Sequence, residues 1–100
     1  MPLDPSQFIG VLWGLGNPGP RYAGTRHNLG AMTVEALAAK AEPVAAGWGP
    51  ARGWIRKDES ERVLLVSNTV YVNESGSVAR ALADSGFAAS KVLVLVDDLT

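Results

Sequence analysis

Phe8–Gly30, FIGVLWGLGNPGPRYAGTRHNLG, changes character twice. It opens as a short apolar, β-branched run stopped by glycine, the pattern of a buried strand leading into a loop. The loop is forced by chemistry. Pro18 and Pro20 fix φ and remove backbone donors, while Gly14, Gly16 and Gly19 accept conformations that other residues resist. From Asn28 onward Leu29, Met32, Ala36 and Leu37 recur at helical spacing through an alanine-rich segment that closes near Glu42–Pro43. The only histidine of the chain, His27, therefore stands at the mouth of a helix.

Beyond this unit, a Gly/Pro/Trp loop leads into two predicted strands, about Arg52–Lys57 and Arg62–Ser67, joined by the charged turn DESE as a hairpin. Trp48 and Trp54 have two readings, stacking platforms for bases or packing residues beside a strand. The stretch NTVYVNESGSVARALADSGF begins as a loop or strand end. It then places Val78, Ala79, Leu82 and Ala83 on one helical face, with Asn73 or Ser75 as N-cap and Gly86 as the stop. Last comes KVLVLVDDLT, a continuous apolar run of the kind buried on both faces of a sheet, ending in Asp97 and Asp98.

Strand, helix, hairpin, helix, strand predicts a single α/β domain over residues 1–100, with a mixed, mostly parallel sheet flanked by helices. In such sheets ligands collect beyond the carboxyl ends of parallel strands. Asn17, Asn73 and Asp97 each follow a predicted strand, so they are expected to converge with His27 at one edge.

Composition narrows the function classes. The chain has 100 residues, 47% hydrophobic and 19% charged, and no apolar run approaches the roughly 20 residues that cross a bilayer. No membrane association is expected. The opening MPLDPSQF lacks the basic and apolar regions of a secretory signal, so the expected compartment is the cytoplasm. Without cysteine there is no disulfide and no thiolate metal site. A net charge of -1 lacks the basic balance of a non-specific nucleic-acid binder, so such a partner would have to be gripped locally. Arg21 and Arg26 are candidates for phosphate contact, or simply a solvated face.

Gly14, Gly16 and Gly19 spell G-x-G-x-x-G after a strand, but a dinucleotide site needs a helix that starts within the glycines. Here two prolines intervene and the helix arrives too late. A hydrolytic site fits better. A neutral imidazole can take a proton from water, and a carboxylate on its other nitrogen fixes the tautomer and stabilises the cation that forms. His27 with Asp97 is the candidate pair, and a helix N-terminus just beyond His27 favours the neutral base. With no cysteine, no G-x-S-x-G and one histidine, a water nucleophile is expected rather than a covalent intermediate or a histidine-rich metal site.

At these residues the chain resembles the bacterial-type peptidyl-tRNA hydrolase family. GLGNPGPRYAGTRHNLG matches that family's opening motif throughout, VYVNESG resembles its TYMNLSG, and VDDLT resembles its HDDLD. The three occur in the right order and together span nearly the whole chain. The resemblance implies cleavage of the ester between a peptide and the terminal ribose of tRNA, without a metal or other cofactor. It implies His27 as the base that activates water and Asp97 as its orienting partner. It also implies Asn17 and Asn73 as the amides that hold the substrate peptide, with Tyr22 and Tyr71 of the same motifs as further substrate-binding residues.

Several positions depart from the pattern. Val72, Val96 and Thr100 replace a methionine, a histidine and an aspartate, and Asn68-Thr69-Val70 stands where the family usually has Pro-Gln-Thr. The family's chain is nearly twice as long, and its later G-H-N-G segment, lid and C-terminal helix have no counterpart here. The domain is thus expected to be incomplete at its C-terminus. Two alternatives follow: a non-catalytic relative that self-associates or needs a completing partner chain, or a phosphate-binding module built on the glycine loop.

Overall fold

Val11 and Trp13 are buried on one face and Leu12 packs into a second cluster on the other, and a strand of this kind belongs in the middle of a sheet. In the computed structural model, which describes residues 3–17, 29–44, 49–70 and 72–96, that strand is β1, Gly10–Gly14. The other strands are β2 (Glu42–Pro43), β3 (Ala51–Asp58), β4 (Glu61–Asn68) and β5 (Val92–Leu95). The sheet runs in the order β2-β3-β4-β1-β5. It is mixed: β1 is parallel to both β4 and β5, whereas β2, β3 and β4 alternate in direction.

The hairpin lies where the sequence places it. Asp58 pairs with Glu61, leaving Glu59 and Ser60 as a two-residue turn, and Glu59 takes the left-handed conformation (φ 55) that such turns demand. The two-residue strand β2 escaped the sequence pattern because it contains Pro43 and, among the described residues, pairs only with β3 at the sheet margin, where a missing donor is tolerated.

Two helices cover opposite faces. α1 (Leu29–Ala38) packs its Val34 and Ala38 onto Leu65, with Leu12, Trp54 and Val63 around them. α2 (Gly76–Asp84) presses Val78 and Leu82 onto Val11, Trp13, Leu64 and Val66 of the other face. Alternation along β4 sends Leu64 and Val66 to one core and Leu65 to the other. Phe8 and Phe87 close the α2 side edge to face, with ring centroids 5.7 Å apart.

Two expectations need correction. The buried face of α1 is Gly30, Ala31, Val34 and Ala38, not the predicted stripe, and Leu29 and Met32 are 52% and 40% exposed. The helix sits too close to the sheet for large side chains at its first turn. A Cβ on Gly14 would overlap the Gly30 carbonyl, and one on Gly30 would overlap the carbonyl of Leu95. The second correction concerns β5, which is not buried on both faces. Among the described residues it pairs with β1 alone, and Leu93 and Val94 are 63% and 39% exposed. On the α2 face, Ala79 and Ala83 are likewise exposed and border an open apolar groove.

Candidate active site

Parallel strands that start together also end together. Gly14 of β1 stands beside Ser67 of β4 on one side and Leu95 of β5 on the other, so the segments that follow all three leave the sheet at one edge. Backbone bonds extend the order past the strands. Leu15 N donates to Leu95 O at 3.0 Å, and Ala31 N donates to Leu15 O at 3.1 Å, which ties the first turn of α1 to this edge. The Gly14–Gly30 contact holds the helix start directly against the strand end, without a side chain between.

Asn17 lies three residues beyond Gly14 and is half-buried. Asn73 lies in the 3-10 turn Val72–Glu74 that leads into α2 and is exposed. The two asparagines thus follow neighbouring parallel strands at the same edge. His27, Asp97, Tyr22 and Tyr71 lie outside the described residues, as do Arg21, Arg26, Trp48, Asp98 and Thr100. Leu29 follows His27 by two positions and Leu95 precedes Asp97 by two, and it is at Gly30 and Leu95 that α1 and β5 meet. Trp54 is on β3, packed in the cluster beneath α1 with the Arg52 guanidinium 5.9 Å from its ring centroid, which is the packing reading of that residue.

One polar residue of this edge, noted in the sequence only as a departure from the family pattern, was not among the candidate site residues. Asn68, the last residue of β4, is 4% exposed; its Oδ1 accepts from Trp13 Nε1 at 2.8 Å, and its Nδ2 donates to Ser75 Oγ at 2.8 Å. The signal was present, since a tryptophan inside an apolar strand needs an acceptor for its N–H, and Asn68 shares a strand face with Val66, the partner of Trp13. Next to it Thr69 fixes the exit of β4, its N donating to Pro50 O at 2.8 Å and its Oγ1 to Gly49 O at 2.7 Å. Ser75 is the N-cap residue of α2, as one of the two sequence candidates.

Comparison with known proteins agrees with this geometry. The family model for peptidyl-tRNA hydrolase matches residues 11–100. A peptidyl-tRNA hydrolase of Symbiobacterium thermophilum is 46% identical over 94 residues, covering 89% of this chain and 49% of the relative. One from Prochlorococcus marinus is 42% identical over 92 residues, covering 89% and 45%. A crystal structure of peptidyl-tRNA hydrolase from Acinetobacter baumannii superimposes with a TM-score of 0.77 at 33% identity, over 91% of this chain and 48% of that one. The chain spans about half the length of the curated relatives it matches. With the helix α1 seated against the end of β1, the shared edge of three parallel strands and a family match over most of its length, the chain belongs to the peptidyl-tRNA hydrolase family.

Proposed function

We propose that the chain hydrolyses the ester joining a peptide to the terminal ribose of tRNA, acting in the cytoplasm as one domain over residues 1–100. The observation that carries this reading is the meeting of α1 and β5 at Gly30 and Leu95, because His27 stands three residues before Gly30 in sequence and Asp97 two residues after Leu95. In the proposed mechanism neutral His27 takes a proton from water as the water oxygen bonds to the ester carbonyl carbon. Asp97, bonded to the other ring nitrogen, holds the tautomer and stabilises the imidazolium. The carbon–oxygen bond to the ribose then breaks, the proton passes to the departing ribose oxygen, and a peptide acid and a tRNA with a free hydroxyl result. Asn17 and Asn73 offer both donor and acceptor groups to a peptide backbone, and Tyr22 and Tyr71 border it.

The test is turnover of N-acetyl-aminoacyl-tRNA by the folded chain beside its His27→Ala and Asp97→Asn forms. A general base contributes about 10²- to 10⁴-fold, so a loss of that size with an unchanged fold is expected for His27→Ala. Undiminished cleavage by both variants excludes the pair, and no cleavage by the well-folded parent excludes the activity.

A second reading is a non-catalytic relative that associates with a second copy of itself. It is favoured by β5, a sheet-edge strand with Leu93 63% exposed and Val94 39% exposed. An edge strand is self-complementary through its own backbone groups. A monomer at all concentrations in sedimentation would exclude it.

A further inference from the structure

We propose that Asn68 is a positioning residue for the substrate-binding turn at Asn73, acting through the buried hydrogen-bond chain Trp13 to Asn68 to Ser75. The proposal rests on the reading of Asn73 as a peptide-binding amide.

The chain has a fixed direction. An indole nitrogen can only donate, so the Trp13 bond at 2.8 Å requires Oδ1 of Asn68 to face it and thereby turns Nδ2 toward Ser75. Nδ2 can only donate in turn, so the Ser75 hydroxyl accepts at 2.8 Å. Trp13 is 7% and Asn68 4% exposed, so water does not compete for either group, and neither can swing away without leaving a buried polar atom unpartnered. The amide of Asn68 is thus held in one orientation by the sheet and passes that orientation to the turn.

Ser75 receives the constraint at an unusual place. It occupies the N-cap of α2, where a serine hydroxyl ordinarily accepts from a backbone N–H of the first helical turn. Its backbone is instead already helical (φ -63, ψ -18), and its side chain makes no cap bond. The hydroxyl serves the link to Asn68 rather than the helix. Asn73 is two residues upstream in the adjoining 3-10 turn, exposed and so dependent on neighbours for its placement. Ser77 Oγ donates to Glu74 O at 2.8 Å, closing the same turn from the helix side. The Asn73–Ser75 segment is therefore joined by side chains to β4 and through it to β1, and by the Ser77 hydroxyl to α2.

Ser75→Ala cuts the link while leaving Trp13 its acceptor, and because the hydroxyl caps nothing, the helix itself loses no cap. The 100-residue chain would be compared with Ser75→Ala and with Ser75→Thr, which restores a hydroxyl. Two readouts are taken: amide hydrogen exchange at residues 73–76, with the Trp13 indole N–H as internal control, and KM and kcat on N-acetyl-aminoacyl-tRNA. The expected result is exchange at residues 73–76 faster by roughly tenfold or more in Ser75→Ala. Indole protection is kept, kcat/KM falls by about tenfold or more, chiefly through KM, and both effects are reversed in Ser75→Thr. Unchanged exchange at residues 73–76 overturns the proposal, as does faster exchange with KM unmoved. If the parent chain cleaves nothing, the proposed activity fails, and with it the role of the link in substrate binding; the exchange readout still shows whether the link holds the turn.

Discussion

Gly30 is the residue at which a single methyl group would do most damage. Its Cβ would overlap the carbonyl of Leu95 and press on that of Leu15, both of them backbone atoms at the proposed site, with no rotamer to yield. Gly30→Ala is expected to cost about 1–3 kcal/mol or more through overpacking, read as a lower urea midpoint. A normal midpoint would mean that the helix start moves freely over the strand ends. Glu59 presents the opposite case. It holds φ 55 in the hairpin turn, which strains an L-residue by about 1–2 kcal/mol, so Glu59→Gly should raise the melting temperature once the glycine's own entropy cost is deducted. At the N-terminal turn the Asp4 carboxyl accepts from the hydroxyl and then the backbone N–H of Ser6, and these bonds hold its pKa below the ordinary 3.8. A carboxyl depressed on folding adds stability above its unfolded pKa and loses it as pH falls through the folded value. The stability gap between the parent and Asp4→Ala should therefore narrow in acid, below about pH 4, and a gap independent of pH would show that the cap bonds carry no charge dependence.

At the level of elements, legibility followed how local the determining physics is. The hairpin was readable because the charged turn DESE separates two strand-like runs, and α2 because Val78 and Leu82 recur on one face before a glycine stop. The buried face of α1 was not. Leu29 and Met32 look like core residues until it is known that Gly14 meets Gly30, a contact between positions well apart in sequence. β5 was misjudged for a related reason: a run of valine and leucine reads alike whether a strand is covered or left at an edge, and only the sheet order distinguishes them. Asn17 and Asn73 were legible as strand-following amides, while Asn68 was hidden because its significance depends on Trp13, 55 residues away. Leu65, 1% exposed beneath α1, gives a direct check on that layer: Leu65→Ala should cost about 2–5 kcal/mol in denaturant unfolding, and a cost under about 1 would mean that α1 does not pack there.

For the molecule as a whole, the uneven distribution of apolar surface matters most. Leu93, Val94 and Val96 stand exposed along one margin, beside a groove of about 270 Å³ bordered by Trp13, Leu82, Phe87 and Val92. An unprotected apolar edge of this kind invites association. The chain should show concentration-dependent association in sedimentation, relieved by Leu93→Lys, since a lysine on an edge strand discourages pairing; association unchanged by that substitution would locate the contact elsewhere. The C-terminal end of β1 concentrates order as well. Trp13 anchors the turn that carries Asn73, Gly14 seats the first turn of α1, and Leu15 bonds to the end of β5. Three consecutive residues thus act as a common datum for three walls, so a shift of that strand end carries all the walls with it and preserves their mutual spacing. Errors of assembly at this edge are correlated rather than independent, and the edge tolerates movement of the whole far better than a slip of any one part.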